Sequence, residues 1–219
     1  MSLVLHGFRY SVYVRIARIA LAEKGLTYEN VEIDPFATDV PIEYLTLHPF
    51  KRVPVLVDGD FALYETEAIT RYIDEAFPGP ALQPSEPRQR ARMAQIISII
   101  DSYGYVPMVR QVAGERVFAL FRGREPDEAR IRTGLEASLR VLAALEAIVP
   151  GDGPLAGGKV WSLADFHVAP MIAYFAAAPE GEEVLADYAK LLAWWQVIRE
   201  RKSVLETDPG LPDMRSRLS

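Results

Sequence analysis

The sequence predicts an α+β domain of order β-α-β-α-β-β-α followed by an all-helical domain. Three observations carry that prediction. Short apolar runs alternate with helical periodicity up to about residue 78. A stretch with Pro78, Pro80, Pro84 and Pro87 then has no apolar period. Beyond it, every periodic segment repeats near 3.6 residues. The boundaries read as 1–78 for the first domain, 79–87 for a linker and 88–219 for the second. A chain of 219 residues suffices for two small cores.

The elements follow in order. Leu3-Val4-Leu5-His6 is a buried first strand ended by Gly7. Val12, Ile16, Ile19 and Ala20 share one helical face, and Gly25 is a C-terminal stop. Tyr28 to Ile33 alternates loosely as a second strand, and 35–47 holds a short irregular helix. Val53–Val57 and Phe61–Tyr64 flank Asp58-Gly59-Asp60, which predicts a hairpin. Ala68, Ile69, Tyr72, Ile73, Ala76 and Phe77 form the stripe of a helix covering that sheet. The second domain is predicted as helices over 87–120, 126–149, 162–177 and 182–202.

Composition narrows the chemistry. There is no cysteine, so disulfides, thiolate nucleophiles and cysteine zinc sites are excluded. His6, His48 and His167 lie far apart without metal spacing, and no metal is expected. The net charge of −6 disfavours nucleic acid and anionic membrane. Basic clusters at Arg88–Arg92 and Arg199–Lys202 read as solvated helix faces. No apolar run reaches membrane-spanning length, and the first residues do not read as a signal peptide. A cytoplasmic protein is expected.

The element order and the proline-rich joint resemble the cytosolic glutathione transferases. Val53-Pro54 ahead of a strand, then Glu65-Thr66 opening a helix, looks like the family's Val-Pro…Glu-Ser/Thr signature. Ser162-Leu163-Ala164-Asp165 is similar to its Ser-x-Ala-Asp helix start, and Trp194-Trp195 ahead of Arg201-Lys202-Ser203-Val204 to its C-terminal helix. The resemblance spans residues 3–205. It implies a thioredoxin-like first domain that binds glutathione and a helical second domain that contributes the electrophile pocket. It further implies a serine-type or related bacterial-like class, glutathione as co-substrate without a permanent cofactor, and a homodimer.

The resemblance also assigns roles. It implies a cis bond before Pro54, with the Val53 main chain pairing with the cysteinyl backbone of glutathione. Thr66 is to hold the γ-glutamyl carboxylate at a helix N-terminus and Glu65 the ammonium. Lys51 and Arg52 face the glycyl carboxylate, although this chain has His48-Pro49-Phe50-Lys51 where the family often has Asn-Pro-x-Gly. Ser11, between the first strand and first helix, is the catalytic candidate, donating its hydroxyl to the glutathione sulfur. Plain helix capping is the alternative, and Tyr10 and Tyr13 are rivals. The tyrosine-using classes place their tyrosine where this chain has Gly7. Phe8, Tyr10, Tyr103, Tyr105, Met108 and Phe118 are expected to line the electrophile pocket. Ser162 and Asp165 are a structural capping box.

The expected function is glutathione transfer: activation of the thiol as thiolate for attack on a small hydrophobic electrophile. A non-catalytic binding or scaffold protein and a glutathione-dependent isomerase are the alternatives. The Ser-Ser-Cys run of the isomerising zeta class is absent.

Overall fold

A computed structural model of the chain describes residues 3–119, 122–151 and 153–210. The chain divides into two compact units, Met1–Leu82 and Gln83–Ser219. The first contains β1 (Leu3–Gly7), α1 (Val12–Glu23), β2 (Glu29–Glu32), α2 (Ile42–Leu47), β3 (Val55–Asp58), β4 (Phe61–Tyr64) and α3 (Thr66–Ala76). This is the predicted order.

The four strands run in the order β2-β1-β3-β4, with β1 parallel to β2 and antiparallel to β3, and β3 antiparallel to β4. Alternation along the strands separates two faces. Leu5 pairs with Leu56, both essentially inaccessible, and this face carries Gly7, against which α1 packs. A Cβ on Gly7 would lie 2.5 Å from Val14 Cγ1, so the strand meets the helix only because position 7 has no side chain. A tyrosine does not fit there. The opposite face carries His6 and Val55, and Val55 clusters with Ile33 and Tyr44 of the α2 side.

Local chemistry sets the element ends. Ser11 caps α1, its Oγ accepting from Val14 N–H at 3.3 Å. Gly25, at φ 66, closes α1 while Leu26 N–H reaches back to Leu21 C=O. The β3–β4 loop is Gly59-Asp60, because Asp58 already pairs with Phe61.

The first unit ends at Leu82, inside the predicted linker, because the proline-rich stretch is tied back to it. Buried Lys24 Nζ lies 3.1 Å from Asp74 Oδ1 and also donates to Pro80 C=O. Leu82 N–H donates to the same carboxylate oxygen.

The second unit contains α4 (Pro87–Ile99), α5 (Ile100–Ala119), α6 (Glu128–Ile148), α7 (Leu163–Ala177), α8 (Pro179–Ala186), α9 (Ala189–Ile198) and α10 (Lys202–Glu206). Helix α5 is wound with π-type turns and holds Pro107, which has no N–H to give. Helix α7 is the centre of the unit, with Phe166, Val168, Met171, Ile172 and Phe175 inaccessible. The single helix predicted over 182–202 is instead divided. Tyr188 leaves helical geometry, and the Glu146 carboxylate of α6 accepts from Lys190 and Leu191 N–H at the start of α9. That carboxylate caps a new helix from 44 residues away, a contact no local pattern encodes.

Candidate functional site

Strand register gathers the candidate residues of the first unit. His6 pairs with Val55, and Val55 with Tyr64. The end of β1, the start of β3 and the end of β4 therefore share one edge of the sheet, about 10 Å across at two strand spacings. The chain beyond that edge is Phe8–Ser11 after β1, Lys51–Pro54 before β3 and Glu65-Thr66 after β4.

Ser11 is half-buried at the N-terminus of α1, where unpaired helix N–H groups concentrate positive potential. Its oxygen accepts from Val14 N–H, and among the described residues its hydroxyl has no acceptor. The O–H is therefore available to an incoming anion. Tyr10 and Tyr13 are half-buried neighbours. The Tyr10 ring stands edge-on to Phe8 at 5.8 Å, with the Arg9 guanidinium over it. Phe8 also meets Phe36 edge-on at 6.0 Å.

Val53 precedes a cis bond to Pro54. Val53 lies outside β3, and among the described residues no hydrogen bond ends on its N–H or C=O. A main chain left open beside a strand can pair with an extended peptide. Lys51 and Arg52 are exposed, and Lys51 holds φ 51, a conformation suited to glycine, while its Nζ donates to Ala37 C=O.

Glu65 holds φ 73 and ψ 118, which costs a non-glycine residue on the order of 1–3 kcal/mol. It does not cap α3 with its side chain. Among the described residues, the N–H groups at the start of α3, beginning with buried Thr66, have no acceptor. Such N–H groups at a helix start can receive a carboxylate.

Two features carried no sequence signal of their own. Tyr44, inside the irregular stretch, is buried and its hydroxyl donates to Arg52 C=O. His48 is buried with its ring 4.7 Å from that of Tyr64, and among the described residues its Nδ1 has no hydrogen-bond partner.

Burial lowers the pKa of both His6 and His48. Glu29 partly opposes this at His6; at His48, Glu65 opposes it and Arg52 adds to it. A folded pKa below the unfolded value of about 6.5 means that the unfolded chain binds protons first as pH falls. Stability is therefore expected to drop as pH falls through about 6.5 towards the folded values. Urea midpoints measured at about pH 8 and about pH 5.5 check this, and His48→Gln is expected to narrow the gap.

In the second unit, Met108 is inaccessible. Tyr103 is exposed, Tyr105 half-buried, and Phe118 stacks on Tyr174 at 5.5 Å. Asp165 is fully buried and accepts from Ser162 N–H, Ser162 Oγ, Leu155 N–H and Trp194 Nε1. No cluster of metal-ligating side chains occurs among the described residues.

A four-stranded β2-β1-β3-β4 sheet with its flanking helices, followed by a helical unit, is a thioredoxin-like domain joined to an all-helical one. Residues 5–81 match the family described as "Glutathione S-transferase, N-terminal domain" and residues 127–196 that described as "Glutathione S-transferase, C-terminal domain". Glutathione S-transferase F10 of Arabidopsis thaliana is 33% identical over 188 residues, covering 84% of this chain and 86% of its own. The apo structure of glutathione S-transferase III superposes with a TM-score of 0.83 at 30% identity, over 97% of this chain and 98% of its own. Glutathione S-transferase I from maize, in complex with an atrazine glutathione conjugate, gives 0.81 at 28%, over 95% and 97%. The chain belongs to the glutathione S-transferase family.

Proposed function

We infer that the chain is a glutathione transferase of serine type, using glutathione as co-substrate with no permanent cofactor. Family membership supports the reaction. The maize relative that carries a glutathione conjugate supports a small organic electrophile as the second substrate.

Each end of the tripeptide has a counterpart at the sheet edge. The free N–H groups at Thr66 receive the γ-glutamyl carboxylate, and exposed Glu65 faces the ammonium. The open main chain of Val53 pairs with the cysteinyl residue. Lys51 and Arg52 attract the glycyl carboxylate. The strained backbone at Glu65 lies at this junction, as strain often does at binding sites.

The observation that carries the serine assignment is the Ser11 hydroxyl. It accepts from Val14 N–H and keeps its proton free, at the positive end of α1. In the proposed step the thiol proton leaves to solvent and the thiolate accepts the Ser11 O–H. The helix terminus lowers the thiol pKa further, as it does for thiols generally. The thiolate attacks the electrophilic carbon, a carbon–sulfur bond forms, and the leaving group departs with the electron pair of the broken bond. Ser11 is never alkylated. Phe8 and Tyr10 supply aromatic surface beside it for an apolar electrophile.

A homodimer and a cytoplasmic location complete the proposal, on the family's pattern. No helix among the described residues is long and apolar enough to cross a membrane. The test is retention on immobilised glutathione, followed by turnover of a generic aryl halide. Retention with turnover is expected. Retention without turnover favours a binding protein, and no retention removes both glutathione roles.

A further inference from the structure

Tyr44 lies on α2, outside the residues that face a ligand, yet its hydroxyl ends on the main chain of the ligand-binding segment. It is 3% exposed, clustered with Ile33 and Val55, and its ring is 5.8 Å from that of His6. Its O–H donates to the carbonyl of Arg52. That carbonyl and the N–H of Val53 belong to one peptide unit. The unit is trans, and in a trans peptide C=O and N–H point in opposite directions. Drawing the Arg52 carbonyl towards buried Tyr44 therefore turns the Val53 N–H away from the core. Val53 N–H has no acceptor among the described residues.

We propose that Tyr44 is a positioning residue for glutathione: its hydroxyl fixes the Arg52–Val53 peptide so that Val53 N–H is aimed at the cysteinyl carbonyl. The inference rests on the glutathione reading of this site and names the device that prepares it. Other contacts make α2 a firm base for it. His48 N–H donates to Tyr44 C=O and Lys51 N–H to His48 C=O, each at 3.0 Å. Burial pushes the Tyr44 phenol well above its ordinary pKa, so it remains a proton donor through neutral and mildly alkaline pH. Because the acceptor at 52 is a main-chain oxygen, the device does not depend on the Arg52 side chain.

Tyr44→Phe keeps the ring and its packing and removes only the donor. The Arg52–Val53 peptide is then free to rotate, and glutathione must order it on binding. The Kd for glutathione is expected to rise roughly five- to tenfold, the worth of one hydrogen bond. KM for glutathione is to rise alike, with kcat at saturating glutathione and KM for the aryl halide within about twofold of wild type. A merely structural role would lower the melting temperature and kcat instead.

The decisive probe is a glutathione analogue in which the cysteinyl carbonyl is reduced to methylene. It lacks the acceptor for Val53 N–H, so wild type and Tyr44→Phe are expected to bind it equally weakly, whatever the variant's melting temperature. Equal affinity of both proteins for glutathione itself would overturn the role of Tyr44 alone. A penalty of the same size for the analogue would do so too. Failure of the wild type to bind glutathione would remove the site reading, and this inference with it.

Discussion

Asp165→Ala is expected to lower unfolding stability by about 4 kcal/mol or more, read as a fall in urea midpoint with little change in slope. The carboxylate is inaccessible and satisfies Ser162 N–H, Leu155 N–H and Trp194 Nε1, besides the Ser162 hydroxyl. Alanine would strand three N–H donors in a dry interior, each at about 1–3 kcal/mol. Net stabilities are on the order of 5–15 kcal/mol, so the loss is a large share. Asp165→Asn is expected to recover only part, because one end of the amide presents donors to donors. Burial pushes the Asp165 carboxyl above the usual range, against the pull of its hydrogen bonds. A raised folded pKa means a contribution lost as pH rises through it, not as pH falls. The acid weakness expected from His6 and His48 therefore has a separate origin.

Substitution of Ser11 is expected to reduce kcat/KM roughly a hundredfold, the scale set by losing one aimed donor to a developing anion. Capping and catalysis share this hydroxyl, so the choice of variant matters. Ser11→Ala also removes the acceptor for Val14 N–H, at about 1 kcal/mol, whereas glycine at a cap costs only a few tenths. Ser11→Gly is therefore expected to remain nearly as stable as wild type while losing activity as fully as Ser11→Ala. Activity that tracks melting temperature across the two variants would reduce Ser11 to a cap. Tyr10→Phe and Tyr13→Phe are expected to keep activity within about threefold, since neither phenol is the assigned donor.

Much of the fold was legible because its signals are local. The hairpin at Gly59-Asp60, the strand–helix alternation before it and the helical periods beyond residue 87 each sit within one short window. Val53-Pro54 and Glu65-Thr66 were legible as motifs. What the motifs did not disclose is their preparation. Helix α2 has only six residues, too few to display a period, so nothing in the sequence singled out Tyr44. The left-handed backbone at Lys51 and the strained one at Glu65 occur at residue types that ordinarily avoid them. Lys24 is buried against Asp74 and anchors the proline-rich segment, a long-range contact with no local signal. The break before α9 depends on Glu146, far away in sequence. Such pairings come from tertiary approach, which periodicity does not contain.

The most direct test of the central claim is titration of the glutathione thiol in its complex with the protein, followed by the ultraviolet absorption of the thiolate. Free thiols of this kind ionise near about 8.5. In the wild-type complex the apparent pKa is expected to fall by about 1–2 units, and in Ser11→Gly to return most of the way. A thiol pKa in the wild-type complex equal to that of free glutathione would contradict the account.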